Sequence, residues 1–577
     1  MKRLKLIYSK LTSQKGLFYL FLGVLILPNA FLFFTESIPL LAKITNVILP
    51  LGIYWLLLSL SKKPGKPFWA LFLFVFLGAF QIVLLYLFGE AIIAVDMFLN
   101  LVNTNSSEVF ELLYNLLPGM LFVFIVYIPS LVYAVKSIRS QETLNLPFLK
   151  KQRKRAVLIT GMGIIFISLS YLLLRPEYDY EIEDDVFPVN VCYNAILAVE
   201  REHQVENYYN TSKGFQFNAT SKRETDEKEV YIFVIGETSR ALNWSLYGYD
   251  RPTNPRLEQT DHLMAFPYAL TESNTTHKSV PLLLSAASAQ NYSAVYQQKS
   301  ILTAFKEAGF ETFYCTNQRE NHSYIDFYAN EADETIRLTK GLPPSANVFD
   351  LELATKVKER LAKGYHKLFI VLHTYGSHFE YFARYPKEEA FFLPDNETSA
   401  SPKNRASLIN AYDNTIRYID KFLAELIQTL ANEKVSTALL YTSDHGEDIF
   451  DDERKLFLHA SPVPSYYQLH VPFFIWMSPT YQEQHNEVYA AIENNKEQLV
   501  STNSAAFHTL LSLAGIETPY FEPNHSLGSE NYQIEKYYYL NDHCEPEEYD
   551  EIGLKELDFQ MFEKMNIPLG FKQDLAD

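Results

Sequence analysis

The sequence predicts two architectures in one chain: a five-helix transmembrane domain, then an α/β domain outside the membrane with a largely parallel central sheet. Three observations predict this. Five apolar stretches, over 16–34, 39–60, 68–95, 114–135 and 156–175, each approach the ~20 residues a helix needs to cross a bilayer. Charge divides behind the last of them: residues 1–178 hold 17 Lys/Arg against 7 Asp/Glu (+10), residues 179–577 hold 33 against 61 (−28), and the total is −18. Beyond residue 228, short β-rich runs alternate with helical patterns, as in a parallel sheet covered on both faces.

The first apolar stretch reads as a span and not as a cleavable signal, because four more follow it and no small-residue cleavage site stands out. Its flank carries Lys2, Arg3, Lys5, Lys10 and Lys15; the second connection holds Lys62, Lys63 and Lys66, and the fourth holds Lys136, Arg139, Lys150, Lys151, Arg153, Lys154 and Arg155. The first and third connections, near 35–38 and 96–113, hold no Lys or Arg. Positive segments stay in the cytoplasm, so the amino terminus is expected inside. An odd number of spans then places everything after Arg175 outside, which in a bacterium is the periplasm or the outer face of the membrane. The expected plan is a transmembrane domain over 1–178, an acidic and aromatic bridge over 179–227 with helix near 190–205 along the membrane surface, and a catalytic domain over 228–577.

Composition excludes some functions. A net charge of −18 argues against a general nucleic-acid binder. Three cysteines (Cys192, Cys315 and Cys544) exclude a disulfide-dense framework and a CxxC zinc module.

Predicted strands lie at 230–235 (VYIFVI), 367–372 (KLFIVL), 436–441 (STALLY) and 471–477 (VPFFIWM), with helices near 300–308, 351–363 and 406–431. Ligands of such sheets bind beyond the carboxyl ends of the strands, and the polar residues sit there. The first strand runs into Gly236-Glu237-Thr238-Ser239-Arg240, the second into His373-Thr374-Tyr375-Gly376-Ser377-His378, and the third into Thr442-Ser443-Asp444-His445-Gly446-Glu447. His459 follows in a loop before the fourth. Carboxylates and imidazoles in this mixture suit zinc with an open coordination position.

A nucleophile is expected in TESNTTHKSVPLLLS, 271–285, where a polar stretch precedes an apolar helical run. A hydroxyl at a helix N-terminus is placed to receive a phosphoryl group, and a metal would lower its pKa. Thr275 or Thr276 could equally serve only as an N-cap.

These segments resemble the bacterial phosphoethanolamine transferases, which include the transferable colistin-resistance proteins and belong to the alkaline phosphatase/sulfatase-like superfamily. The resemblance rests on GETSRALNWSLYGYDRPTNP at 236–255, TTHKSVP at 275–281, and TSDHGE at 442–447 with His459, and covers nearly the whole chain. It implies that Glu237, Thr276, Asp444 and His445 are zinc ligands and that Thr276, five residues before Pro281, is the nucleophile. It implies that His378 and His459 assist the leaving group or acceptor or hold a second zinc, with an accessory role for His373. Asn100, Thr104 and Glu108 match a family pattern that binds the ethanolamine headgroup; their four-residue spacing would share one helix face. Asn317 is carried over as a substrate-binding residue.

The activity implied is transfer of phosphoethanolamine from phosphatidylethanolamine, through a phosphothreonine, to lipid A or another lipopolysaccharide or surface-glycan acceptor. The enzyme would be a monomer of the bacterial inner membrane, linked to polymyxin resistance. The alternatives are a phosphoglycerol transferase or a phosphatase/sulfatase of the same superfamily and, more remotely, a catalytically inactive membrane-anchored binding protein. Three departures concern the acceptor pocket: Glu272 and Leu282 stand where lipid A-modifying relatives have disulfide cysteines, YCTNQRENHSY at 314–324 lacks their substrate-binding lysine segment, and Phe379-Glu380 replaces Gly-Pro after His378.

Overall fold

The computed structural model describes residues 10–89, 92–103, 106–174, 178, 180–223, 228–343, 346–396, 399–534 and 536–568. The chain divides into two compact units, one of Met1–Phe98 with Leu112–Val199 and the other of Leu99–Glu111 with Glu200–Asp577.

The first unit is helical. Its main helices are α1 (Gln14–Thr35), α2 (Leu40–Leu58), α3 (Phe72–Phe88), α4 (Ser106–Arg139, from Leu112 on) and α5 (Leu146–Leu173). Among the described residues four helices are long and apolar enough to cross a membrane: α1, α2, the Leu117–Arg139 part of α4, and α5. The fifth span expected over 68–95 is represented by α3, a shorter apolar helix of 17 residues. The apolar run outlasts its helix because the chain breaks at Leu71 (φ −91°, ψ 18°) and stops at Gly89 (φ 80°). Polar side chains join the helices where apolar contact alone gives little specificity. Asn29 Nδ2 donates to Asn46 Oδ1 at 3.0 Å and to the Phe187 carbonyl at 2.8 Å, and Ser137 Oγ donates to Gln14 Oε1 at 2.7 Å. Helix α6 (Val189–Thr211) follows, and the division between the units falls within it, so the expected bridge over 179–227 is shared between them.

The second unit is built on seven strands: β1 (Glu229–Gly236), β2 (Leu263–Ala265), β3 (Glu311–Thr316), β4 (Glu334–Arg337), β5 (Lys367–His373), β6 (Ser436–Ser443) and β7 (Phe473–Met477). Their spatial order is β2-β7-β6-β1-β5-β3-β4. Strands β6, β1, β5, β3 and β4 pair in parallel, whereas β7 runs antiparallel to both β6 and β2. The sheet is therefore mixed and not the largely parallel one expected. Phe473 pairs with Thr442, so the chain leaving β6 turns over the carboxyl edge and re-enters beside it. An antiparallel neighbour needs no crossover helix.

Every position of β1 is buried, and its side chains alternate between two cores. Val230, Ile232 and Val234 pack with Leu353 and Val357 of α8 (Leu351–Ala362) and with Ile416, Phe422 and Leu423 of α9 (Arg405–Glu433). Tyr231, Phe233 and Ile235 pack with Val280, Leu282 and Leu283 of α7 (Thr276–Leu283) and with Phe507, Leu510 and Leu511 of α10 (Thr502–Ala514). At ~1.5–3 kcal/mol per buried large apolar side chain, these cores hold the carboxyl edge rigid. Register aligns that edge: Ile235 pairs with His373, Gly236 with Ser443, and Thr316 with His373.

Candidate active site

Glu237, Asp444 and His445 leave the ends of β1 and β6 with ligand atoms all within 4.8 Å of one another, and all three are buried. Asp444 Oδ1 accepts from the backbone N–H groups of Thr238 (3.0 Å) and His445 (2.8 Å). Asp444 Oδ2 has no hydrogen-bond partner and lies 3.3 Å from His445 Nε2. His445 Nδ1 meets the Gly446 carbonyl at 2.9 Å, so the proton sits on Nδ1 and Nε2 faces the carboxylates. Thr276, the first residue of α7, places Oγ1 3.1 Å from Glu237 Oε1 and 3.1 Å from His445 Nε2. Thr275 is the N-cap residue by position, but its side chain makes no capping bond. Geometry thus separates the two threonines: Thr276 meets the cluster.

The backbone is constrained to deliver these groups. Thr238 is left-handed (φ 59°), a conformation that costs a β-branched residue of order 1–3 kcal/mol; it is held by its N–H bond to Asp444 and by Oγ1 donating to Glu237 Oε1 at 2.9 Å. A Cβ on Gly446 would lie 2.2 Å from the Tyr467 carbonyl oxygen, so only glycine fits after His445.

Burial, then the neighbouring Asp444 charge, pushes the Glu237 carboxyl up to about 8, and burial pushes Asp444 up to about 7. Burial, followed by His459, lowers His445 to about 3. No lysine or arginine among the described residues pairs with either carboxylate. Two buried carboxylates, one orphan oxygen and an inward imidazole nitrogen fit a divalent cation, which would remove the desolvation penalty. Glu237, Asp444, His445 and the Thr276 hydroxyl are the donors that would hold it, and nitrogen with oxygen suits zinc.

His459 lies beside this cluster, its ring centroid 4.2 Å from that of His445 and 6.1 Å from that of His378. His459 Nδ1 faces the buried Glu447 carboxylate at 3.4 Å, and Glu447 also accepts from Tyr381 Oη at 2.6 Å. His378 Nδ1 donates to the Phe379 carbonyl at 2.6 Å. Burial lowers His459 to about 4 and His378 well below its ordinary value.

Other sequence candidates fall elsewhere. Asn317 Nδ2 donates to the Val348 carbonyl (2.9 Å) and Asp350 Oδ1 (2.8 Å). The next residue, Gln318, reaches Glu237 Oε2 at 2.9 Å instead; it stands just past the end of β3, which is not among the strands the sequence predicts. His373 Nε2 lies 3.9 Å from Glu237 Oε2, behind Gln318. Thr104 lies outside the described residues, as do the side chains of Asn100 and Glu108, whose backbones belong to the helix Val95–Asn103 and to α4.

The sulfatase family model matches residues 229–516. The chain carries a sulfatase-family domain. Its homologues are phosphoethanolamine transferases: the phosphoethanolamine transferase EptA of Salmonella typhimurium is 31% identical over 305 residues, 52% of this chain and 55% of that protein. The chain thus spans about half the length of that curated relative. The sulfatase-family domain is similar to the C-terminal periplasmic domain of Escherichia coli EptC solved in complex with zinc, with a TM-score of 0.53 and 25% identity over 58% of this chain and 96% of that one. The lipooligosaccharide phosphoethanolamine transferase A of Neisseria meningitidis, an integral membrane protein, shares the fold over 90% of this chain and 97% of its own, with a TM-score of 0.66 at 20% identity.

Proposed function

We propose that the chain is a zinc-dependent transferase that moves phosphoethanolamine from phosphatidylethanolamine to lipid A or another lipopolysaccharide or surface-glycan acceptor. The observation that carries this reading is the Thr276 hydroxyl, 3.1 Å from both Glu237 and His445 at the first position of α7. Backbone N–H groups at that helix start favour an incoming phosphoryl group.

Thr276 Oγ1 attacks the donor phosphorus; the bond from phosphorus to the glycerol oxygen breaks, and diacylglycerol leaves with a proton. An acceptor oxygen then attacks the phosphothreonine, the bond from phosphorus to Oγ1 breaks, and the threonine regains its proton. Zinc held by Glu237, Asp444, His445 and Thr276 would stabilise charge on the phosphoryl oxygens and acidify the threonine hydroxyl. His459 and His378 serve as proton carriers: burial keeps each neutral, and their Nδ1 contacts leave Nε2 as the basic atom. Glu108, with Asn100 and Thr104, is assigned to the ethanolamine ammonium.

In this reading α3 completes a set of five spans, the amino terminus is cytoplasmic, and the catalytic domain from 228 onward works in the periplasm of the inner membrane, where donor and acceptor are both lipid-bound. The enzyme acts as a monomer with one catalytic zinc. The test is mass spectrometry of surface lipids from cells expressing the wild type or Thr276→Ala. The expected result is a phosphoethanolamine increment with the wild type and none with the variant. An increment that survives Thr276→Ala removes the threonine from the chemistry, and a phosphoglycerol increment redirects the donor assignment.

A further inference from the structure

We propose that Gln318 is a positioning residue that fixes the rotation of the Glu237 carboxylate, so that Oε1 alone faces Thr276 and the metal-ligand cluster. The inference deepens the zinc reading above and rests on it.

The turn bearing Gln318 is tied to the neighbouring strand. Thr316 Oγ1 donates to the His373 carbonyl at 2.8 Å, and the Gln318 backbone N–H donates to Thr316 Oγ1 at 3.0 Å. From this anchor the side-chain nitrogen Nε2 meets three acceptors: the Thr374 carbonyl at 2.7 Å, Glu237 Oε2 at 2.9 Å and His373 Nε2 at 2.9 Å. An amide oxygen in that place would confront a carbonyl and a carboxylate, so the partners themselves assign the nitrogen. Two N–H groups serve three acceptors, and one proton is shared. His373 Nε2 must then carry a lone pair, with its proton on Nδ1 toward Tyr314 Oη at 3.3 Å.

The two oxygens of Glu237 are thereby made unequal. Oε1 accepts from Thr238 Oγ1 at 2.9 Å and lies 3.1 Å from Thr276 Oγ1 and 3.7 Å from His445 Nε2. Oε2 is occupied by Gln318. The terminal torsion of a glutamate is broad, so without that donor the rotation of the carboxylate is restrained from the Oε1 side alone, by Thr238 and Thr276. The choice of an amide has a chemical consequence: it orients the carboxylate without neutralising it, whereas lysine or arginine there would compete with a cation for the charge.

The experiment uses the full chain in detergent and compares the wild type with Gln318→Met and Gln318→Leu. Zinc affinity is read by competition with a chromophoric chelator, and the thermal transition is read separately on metal-stripped protein. Loss of a hydrogen-bonding partner behind a metal ligand costs 10–100-fold in affinity. The expected result is a zinc affinity weakened about 10–100-fold in Gln318→Met, with the metal-free transition unmoved. Wild-type affinity in both variants overturns the proposal, and so does a parallel fall of affinity and metal-free transition in both, which would mark Gln318 as structural. A wild-type protein that takes up no zinc sinks the metal reading itself, an outcome distinct from a variant that binds as well as its parent.

Discussion

Arg240 and Asp451 form a two-pronged ion pair inside the catalytic domain, Nη1 to Oδ2 at 2.6 Å and Nη2 to Oδ1 at 3.1 Å, with both side chains almost wholly enclosed. Arg240 also donates to the Glu447 carbonyl at 2.9 Å and to Asn243 Oδ1 at 2.7 Å, between the rings of Tyr412 and Tyr467. The pair therefore ties the loop carrying Glu237 to the loop carrying Glu447. Breaking a buried pair from one side costs about 3–5 kcal/mol when the remaining charge has no other partner; here Asp451 Oδ1 keeps Arg405 Nη2 at 2.8 Å. Arg240→Ala is therefore expected to lower the unfolding free energy of the catalytic domain by less than that amount, and Arg240→Lys to recover only part of the loss, because lysine lacks the planar fork. Chemical denaturation checks both.

Glu272 anchors the segment that leads to Thr276. Oε1 accepts from Ser501 Oγ at 2.6 Å, from the Ser504 N–H at 2.9 Å and from Ser504 Oγ; Oε2 accepts from the Ala289 N–H at 2.6 Å. This position is thus cross-linked by hydrogen bonds. Glu272→Ala strands several buried donors, each worth about 1–3 kcal/mol. The expected outcome is a lower thermal transition together with reduced transfer, while Glu272→Gln retains more of both.

Asp420 gives a pH signature away from the catalytic groups. Its carboxylate is fully enclosed and accepts from the backbone N–H groups of Leu257 (2.9 Å) and Arg256 (3.2 Å). Burial raises its pKa from 3.8 to about 6. The folded state therefore holds the proton more tightly than the unfolded one. Its contribution to stability is complete below pH 4, declines as pH rises, and is lost above pH 6. Asp420→Asn is expected to flatten the stability curve relative to the wild type between about pH 4 and 6. Denaturation midpoints across that range test the sign.

His459 is expected to affect turnover more than fold. Removing a positioned proton carrier costs about 10²–10⁴-fold in rate. His459→Ala should lower turnover within that range while zinc content stays at the wild-type level. Metal analysis beside a transfer assay distinguishes this from damage to the ligand set.

The four long hydrophobic runs of the catalytic domain were readable as strands, because continuous burial on both faces writes itself into composition: 230–235, 367–372 and 436–441 lie within β1, β5 and β6, and 471–477 contains β7. Direction was not readable. Nothing in Phe473–Met477 marks it as antiparallel; that follows from a connection which stays on the carboxyl edge. The edge strand β2, three residues long, lacks the length to rise above its surroundings. Of the site, Glu237, Asp444 and His445 were legible because strand ends converge, and Thr276 was separable from Thr275 only by geometry or by resemblance. Gln318 was missed because an amide carries no chemical signature until its three acceptors are in place.

Strand β1 sits at the centre of the sheet, yet both its neighbours arrive late in the chain: the Thr238–Asp444 bond that shapes the cluster joins residues 206 apart. Contacts of such sequence separation form slowly, since loop closure precedes any reward. A nascent chain emerging in order from its amino terminus would expose Glu237 long before Asp444 and His445 exist to join it. Under the proposed mechanism, zinc capture is then a late event of maturation, and a chain cut short before β6 would carry Thr276 without any means of activating it.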